Sequence, residues 1–199
     1  MSDLDHTAIA ETPLHYYHGK RVGAPNAKVM ISELALKKHL IIRGSADDTL
    51  FISGIKTALG VNLPLTPCTC NSDHNTALFW LGPTEWLAVI SDTADNMLEN
   101  TLRKTLGGHS AVVDVSGGQT LINLSGAGVG TVLKKSSGFD FQSPTFKHGH
   151  CAQTTFAKAS ALVSKRLDGS FDLIIRRSFT DYLASWLLDA SAEFGCQIK

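Results

Sequence analysis

Residues 124–136 read LSGAGVGTVLKKS, a glycine-rich loop that leaves an apolar run and opens a helix. A dinucleotide site needs glycines spaced G-x-G-x-x-G, so that the chain turns tightly, a pyrophosphate reaches the backbone and the helix packs closely on its strand. Gly126, Gly128 and Gly130 instead give G-x-G-x-G. What this loop is for has to be read from the elements around it.

Upstream, VMISEL and LIIRG are short β-branched runs that read as strands. Ser45 follows as a candidate N-cap, with Asp47 and Asp48 in the first turn. Phe51, Ile55 and Leu59 then recur every fourth residue up to Gly60, a C-cap signal, which predicts an amphipathic helix. TALFWLGPTEWLAVIS reads as a hairpin turning at Gly82-Pro83-Thr84-Glu85. A helix after Asp92 and Thr93 carries Leu98, Leu102 and Leu106 and stops at Gly107-Gly108.

The same order returns downstream. VVDV and QTLINL are strands, and AGVGTVLKK is a helix with Val129, Val132 and Leu133 on one side. ASALVSKR and FDLIIRR form a hairpin whose turn holds Asp168-Gly169. A last helix presents Phe179, Tyr182, Leu183, Trp186, Leu187, Ala190 and Phe194, with Ser178 and Asp181 as a capping pair. Gly44 and Gly126, Pro64 and Pro144, and Thr93 and Ser178 recur at nearly one offset. The expectation is an α+β fold made of a duplicated strand-helix-hairpin-helix unit, with halves at about 28–108 and 109–199. In it, Gly126 and Gly128 serve a strand-to-helix turn and Gly130 gives close packing on the sheet.

Residues 1–27 lack a sustained period and carry Pro13, Gly19, Gly23 and Pro25, so they read as an irregular arm ahead of a single domain, 28–199. Tyr16 and Tyr17 lie in that arm, away from any predicted core face, and are candidate partner contacts. A partner surface is expected to supply the burial that orders the arm.

The chain has 199 residues, 43% hydrophobic, and eighteen Lys and Arg balance eighteen Asp and Glu. That balance gives no electrostatic reason to expect nucleic acid or an acidic membrane as partner. No run approaches the ~20 apolar residues of a membrane span, and no secretory signal opens the chain. The four cysteines do not form a disulfide framework. A cytoplasmic protein with free thiols is expected.

Two clusters carry metal-ligating types: Cys68, Cys70 and His74 in PCTCNSDH, and His148, His150 and Cys151 in KHGHCA. C-x-C is not the C-x-x-C knuckle of structural zinc, and no second pair follows, so exposed histidines and buried thiols are expected there, with no metal assigned. An extended KHGHC would put His148 and His150 on one face. No G-x-S-x-G elbow is present. Asp114 in VVDVSGG reads as a turn residue, and Arg176 and Arg177 as a solvated edge. No catalytic or cofactor-binding residue is assigned.

The stretches ISELALKKHLIIRG, LFWLGPTEWLAVI, VVDVSGGQTLINLSGAGVGTVL, GHCAQTTFAKASALV and LIIRRSFTDYLASWLLD, in this order from about residue 29 onward, resemble the gamma subunit of heterotetrameric sarcosine oxidase. The resemblance implies a non-catalytic subunit of an alpha, beta, gamma, delta complex that oxidatively demethylates sarcosine to glycine, packing against alpha. It implies FAD in beta, FMN at the alpha–beta boundary, NAD and tetrahydrofolate in alpha, zinc in delta, and no cofactor in gamma. It also implies a fold similar to the folate-binding domain of the glycine-cleavage T-protein. The folate-side aspartate of that domain falls here at Asn75-Thr76, which cannot serve as a carboxylate base. The alternative is a folate-dependent aminomethyltransferase-like enzyme.

Overall fold

A computed structural model describes residues 11–34, 36–91 and 97–199. Residues 1–10 of the expected arm, and Asp92 and Thr93 ahead of the second helix, lie outside the described residues. A 3₁₀ turn at His15–Tyr17 precedes β1 (Arg21–Val22), β2 (Val29–Glu33), β3 (Lys38–Arg43) and helix α1 (Thr49–Leu59). Strands β4 (Cys70–Ser72), β5 (Thr76–Gly82) and β6 (Glu85–Ile90) lead to α2 (Leu98–Leu106). Then follow β7 (Ala111–Asp114), β8 (Gln119–Ser125), α3 (Val129–Ser136), β9 (Cys151–Phe156), β10 (Ala159–Lys165), β11 (Phe171–Arg176), α4 (Thr180–Ser191) and β12 (Cys196–Ile198).

The strands make two sheets, in the orders β1-β12-β2-β8-β11-β10-β9 and β4-β5-β6-β3-β7. Because side chains alternate across a strand, each sheet has two apolar faces to cover. In β6, Trp86, Ala88 and Ile90 join the core beneath α1 and α2, whereas Leu87 and Val89 point to the other sheet. In β11, Phe171, Leu173 and Ile175 join the core beneath α3 and α4, and Ile174 points inward. The result is four layers, helix, sheet, sheet, helix, with Phe79, Leu87, Val89, Leu121, Leu162 and Ile174 between the sheets. Strands buried on both faces explain the near-continuous apolar runs.

Several local readings change. Asp48 caps α1, accepting from the amides of Leu50 and Phe51, while Ser45 stands earlier and accepts from the Asp47 amide. Gly60 ends that helix at φ 73°, the left-handed conformation glycine tolerates. The Ser178–Asp181 cap does not form: 177–179 is a 3₁₀ turn, α4 has no side-chain cap, and Asp181 instead accepts from the Tyr17 hydroxyl. Four short strands escaped sequence reading. Of these, β1, β4 and β9 lie at sheet edges, and β12 sits between β1 and β2, running parallel to β2.

The glycine loop turns β8 into α3. Gly126 has φ 106° and lies against the Lys28 carbonyl, where a Cβ would collide, and the Gly128 amide donates to that same carbonyl at 3.0 Å. The loop's backbone is therefore committed to the chain leading into β2. Gly130 lies under the Gln142 side chain and not on the sheet, which corrects the packing role expected for it.

Residues 11–27 do find burial within the chain. Leu14 is fully buried in the core beneath α3 and α4, and its amide donates to the Glu33 carboxylate at 3.0 Å. Glu33, its side chain fully covered, also faces His18 at 3.6 Å. Tyr17 packs against the same core and over it Lys20 makes a cation–π contact, whereas Tyr16 is 85% exposed.

Candidate functional site

A cavity of about 400 Å³ opens at one end of the inter-sheet layer. Its wall comes from the β4–β5 turn, the β10–β11 hairpin, Lys37 ahead of β3, and Ser91 after β6, and its floor includes Phe79, Val89 and Leu121. Both hairpin turns are closed by their own carboxylates. Asp73 accepts from the amides of Asn75 and Thr76 at 2.8 and 2.7 Å, bonds that hold its carboxyl below the usual carboxylate range. Asp168 accepts from the Ser170 amide and hydroxyl, with the same consequence.

Deeper in the wall, Asn123 and Asp172 stand opposite one another on β8 and β11, their side chains on the inter-sheet face. Asn123 Nδ2 donates to Asp172 Oδ1 at 2.8 Å and to Ser170 Oγ at 3.1 Å, and Arg166 Nε donates to Asp172 Oδ2 at 2.7 Å. Asp172 is 8% exposed, and this pairing gives each of its oxygens a donor. Lys37 completes the group. It donates to Ser91 Oγ at 2.6 Å, and burial, with the Arg166 charge adding to it, lowers its ammonium pKa, while the Asp172 charge opposes this.

The two Cys/His clusters approach one another through backbone. Thr69 and His150 form an antiparallel bridge, the Cys70 amide donates to the Gly149 carbonyl at 2.8 Å, and the Cys151 amide donates to the Cys68 carbonyl at 2.9 Å. Their side chains divide between two sites, each with members of both clusters: Cys70, His74 and His148 line the cavity, and Cys68, His150 and Cys151 border a separate depression with Phe139 and Phe146. Residues 147–150 form a turn, so the extended reading of KHGHC does not hold. Among the described residues no three His, Cys, Asp or Glu side chains are grouped to hold a metal ion. Burial pushes the thiols of Cys70 and Cys151 up to about 11 and about 12, which keeps them protonated and poorly nucleophilic near neutrality.

Asp114 accepts from the amide and hydroxyl of Ser116 and so closes a turn. Arg176 and Arg177 are exposed, and Arg177 donates to the Glu11 carbonyl. The residues that sequence reading missed are Lys37, Asn123, Arg166 and Asp172. One signal was present: Asp172 interrupts the apolar FDLII strand, and a charge inside such a run calls for a partner. The site offers hydrogen-bond donors and an apolar floor, but every carboxylate described in it is engaged by internal donors. That arrangement suits binding better than proton transfer.

Residues 43–193 match the sarcosine oxidase, gamma subunit family. The sarcosine oxidase subunit gamma of Corynebacterium sp. (strain P-1) is 28% identical over 197 residues, covering 98% of this chain and 96% of its own. A chain of the heterotetrameric sarcosine oxidase from Corynebacterium sp. U-96, solved in complex with pyrrole 2-carboxylate, is 26% identical with a TM-score of 0.82, over 93% of this chain and 96% of that one. The glycine cleavage system aminomethyltransferase T from Bartonella henselae shares the fold at 13% identity and a TM-score of 0.65, over 94% of this chain and 58% of that one.

Proposed function

The chain belongs to the sarcosine oxidase gamma subunit family, and from that premise we propose that it is the non-catalytic gamma subunit of a heterotetrameric sarcosine oxidase, packing against the alpha subunit. The observation that carries this reading is the likeness to a chain of such a complex along nearly the whole length of both. In this reading the complex, with its alpha, beta and delta subunits, demethylates sarcosine oxidatively to glycine. FAD, FMN, NAD and tetrahydrofolate reside in the other subunits. The Gly126 loop supports that division, because its backbone is packed on Lys28 where a pyrophosphate would have to lie.

The folate-dependent aminomethyltransferase reading is the weaker one, since Asn75-Thr76 offers no carboxylate and the T-protein likeness is one of fold. We read the chain as a single duplicated domain behind its arm. Support comes from the repeated order β3, α1, the β5–β6 hairpin, α2, then β8, α3, the β10–β11 hairpin, α4. Among the described residues no helix is long and apolar enough to cross a membrane, and all four cysteines are free, which supports a cytoplasmic setting.

Tyr16, exposed beside the anchored Leu14, is the partner contact this reading favours, with Tyr17 contributing from a position already held by Asp181. The test is co-expression with the alpha, beta and delta subunits. The full chain is expected to co-purify stoichiometrically, and Tyr16→Ala to weaken assembly by about 1–3 kcal/mol, as a buried aromatic anchor does. A chain that never enters the complex overturns the subunit role, and undiminished assembly of Tyr16→Ala overturns the anchor alone.

A further inference from the structure

The inter-sheet cavity carries an assignment of its own, independent of the subunit role. Each of its carboxylates is engaged by the chain: Asp73 and Asp168 close their hairpin turns through Oδ1, and Asp172 is shared between Asn123 and Arg166. Its cations keep N–H groups to spare. A guanidinium has five N–H groups and an ammonium three. Arg166 uses Nε on Asp172, and Lys37, among the described residues, has the Ser91 hydroxyl as its partner and no carboxylate. The two cations are near enough for Arg166 to disfavour the Lys37 charge. Lys37 is half-buried and the Arg166 side chain is 43% exposed, and two cations beside the one Asp172 carboxylate leave room for a second anion.

The remaining lining is mixed, with Ser72, His74, Asn75 and His148 on its polar side and an apolar part besides. Phe79, Val89 and Leu121 form its floor, and at its mouth Leu167, on the β10–β11 turn, is 84% exposed. A leucine so placed gains if a ligand's apolar body covers it. The volume of about 400 Å³ lies within the range of small-molecule sites. From this geometry we propose that the cavity binds a small organic carboxylate, its anionic group held by Lys37 and Arg166 and its apolar body resting on Phe79, Val89, Leu121 and Leu167.

The probe is 4-fluorobenzoate, followed by ¹⁹F NMR on the purified full chain, with 4-fluorobenzamide as the neutral analogue of the same shape. Saturable binding of the carboxylate is expected, with the amide weaker by about tenfold, the size of one charge-assisted contact. Lys37→Met is expected to weaken the carboxylate by a similar factor, and Lys37→Arg to retain it. Leu167→Asp, at an exposed turn where folding is not at stake, is expected to weaken the carboxylate more than the amide. Equal binding of carboxylate and amide, indifference to both Lys37→Met and Leu167→Asp, or no binding at all would overturn the assignment. So would Lys37-dependent binding to the free chain that vanishes in the assembled complex, because a neighbouring subunit's carboxylate would then be the occupant. Co-purification is read separately, so failure here leaves the subunit role standing and the reverse also holds.

Discussion

The layer beneath α1 and α2 and the layer between the sheets share strands β3, β5 and β6, yet they are built on different principles. Beneath the helices the strands present apolar groups, with Trp86 against Phe51 at a ring-centroid distance of 5.6 Å and its indole N–H donating to the Pro64 carbonyl at 2.8 Å. Between the sheets, apolar side chains are interrupted by His39 at 1% exposure and by Asn123 and Asp172, each with a polar partner. One layer is filled for stability. The other gives up part of its apolar contact and gains a cavity with fixed charges.

The sharpest way to break that contrast is to remove the largest side chain from the first layer. Trp86→Ala leaves a void and an unpaired Pro64 carbonyl, and about 3–5 kcal/mol of stability is expected to go with it. The denaturant midpoint of the full chain measures this. A loss below 1 kcal/mol, on the scale of a surface change, would show that the helix-backed layer is not where the stability lies.

The second test is chemical. Asp172→Ala removes the acceptor of both Arg166 and Asn123 and is expected to cost about 1–3 kcal/mol, chiefly for leaving the buried Asn123 amide without that acceptor. Replacing both cross-strand partners, Asp172→Leu with Asn123→Leu, is expected to recover most of it, because a paired polar site and an apolar one of like shape are close in stability. Failure of the double variant to recover would mean that the network supports the fold and not only the cavity.

The contrast also explains what could be read in advance. Phe51, Ile55 and Leu59 follow the helical period because one face of α1 meets one apolar layer, and the two hairpins announce themselves by Gly82-Pro83 and Asp168-Gly169. Strand pairing across long separations has no such local mark. The three-residue strand β12 borrows its stability from β1 and β2, distant in sequence, while β4 pairs with the adjacent β5, and CNS and CQI carry no period to detect. The cavity was illegible for the same reason: Lys37, Arg166 and Asp172 converge only once two sheets face each other. The Cys/His clusters illustrate the converse, since suggestive residue types met through their backbones, yet among the described residues no three such side chains group to hold a metal ion.

The smallest expected effect concerns His39, a buried imidazole of the inter-sheet layer two residues from Lys37 and opposite Val89. Burial lowers its pKa, and the charge of Lys37 adds to this, while the hydrogen bond from Nδ1 to Gln119 Oε1 at 2.9 Å and the charge of Asp114 oppose it. The folded value therefore lies below the ordinary 6.5, and the unfolded chain takes up the proton first as pH falls. Stability attributable to His39 is complete above pH ~6.5 and is lost progressively below it, down to the folded pKa, with a slope of at most ~1.4 kcal/mol per pH unit. His39→Gln, which keeps an amide in place of the ring and cannot titrate, is expected to remove that slope. Urea titrations at a series of pH values between neutrality and the carboxylate range provide the comparison. An unchanged slope in the variant would mean that the imidazole is protonated as readily in the fold as outside it, and the inter-sheet layer would then be wetter around His39 than its packing implies. Trp86→Ala provides the control, since nothing that titrates is removed: its stability is expected to fall by the same amount at every pH in the series.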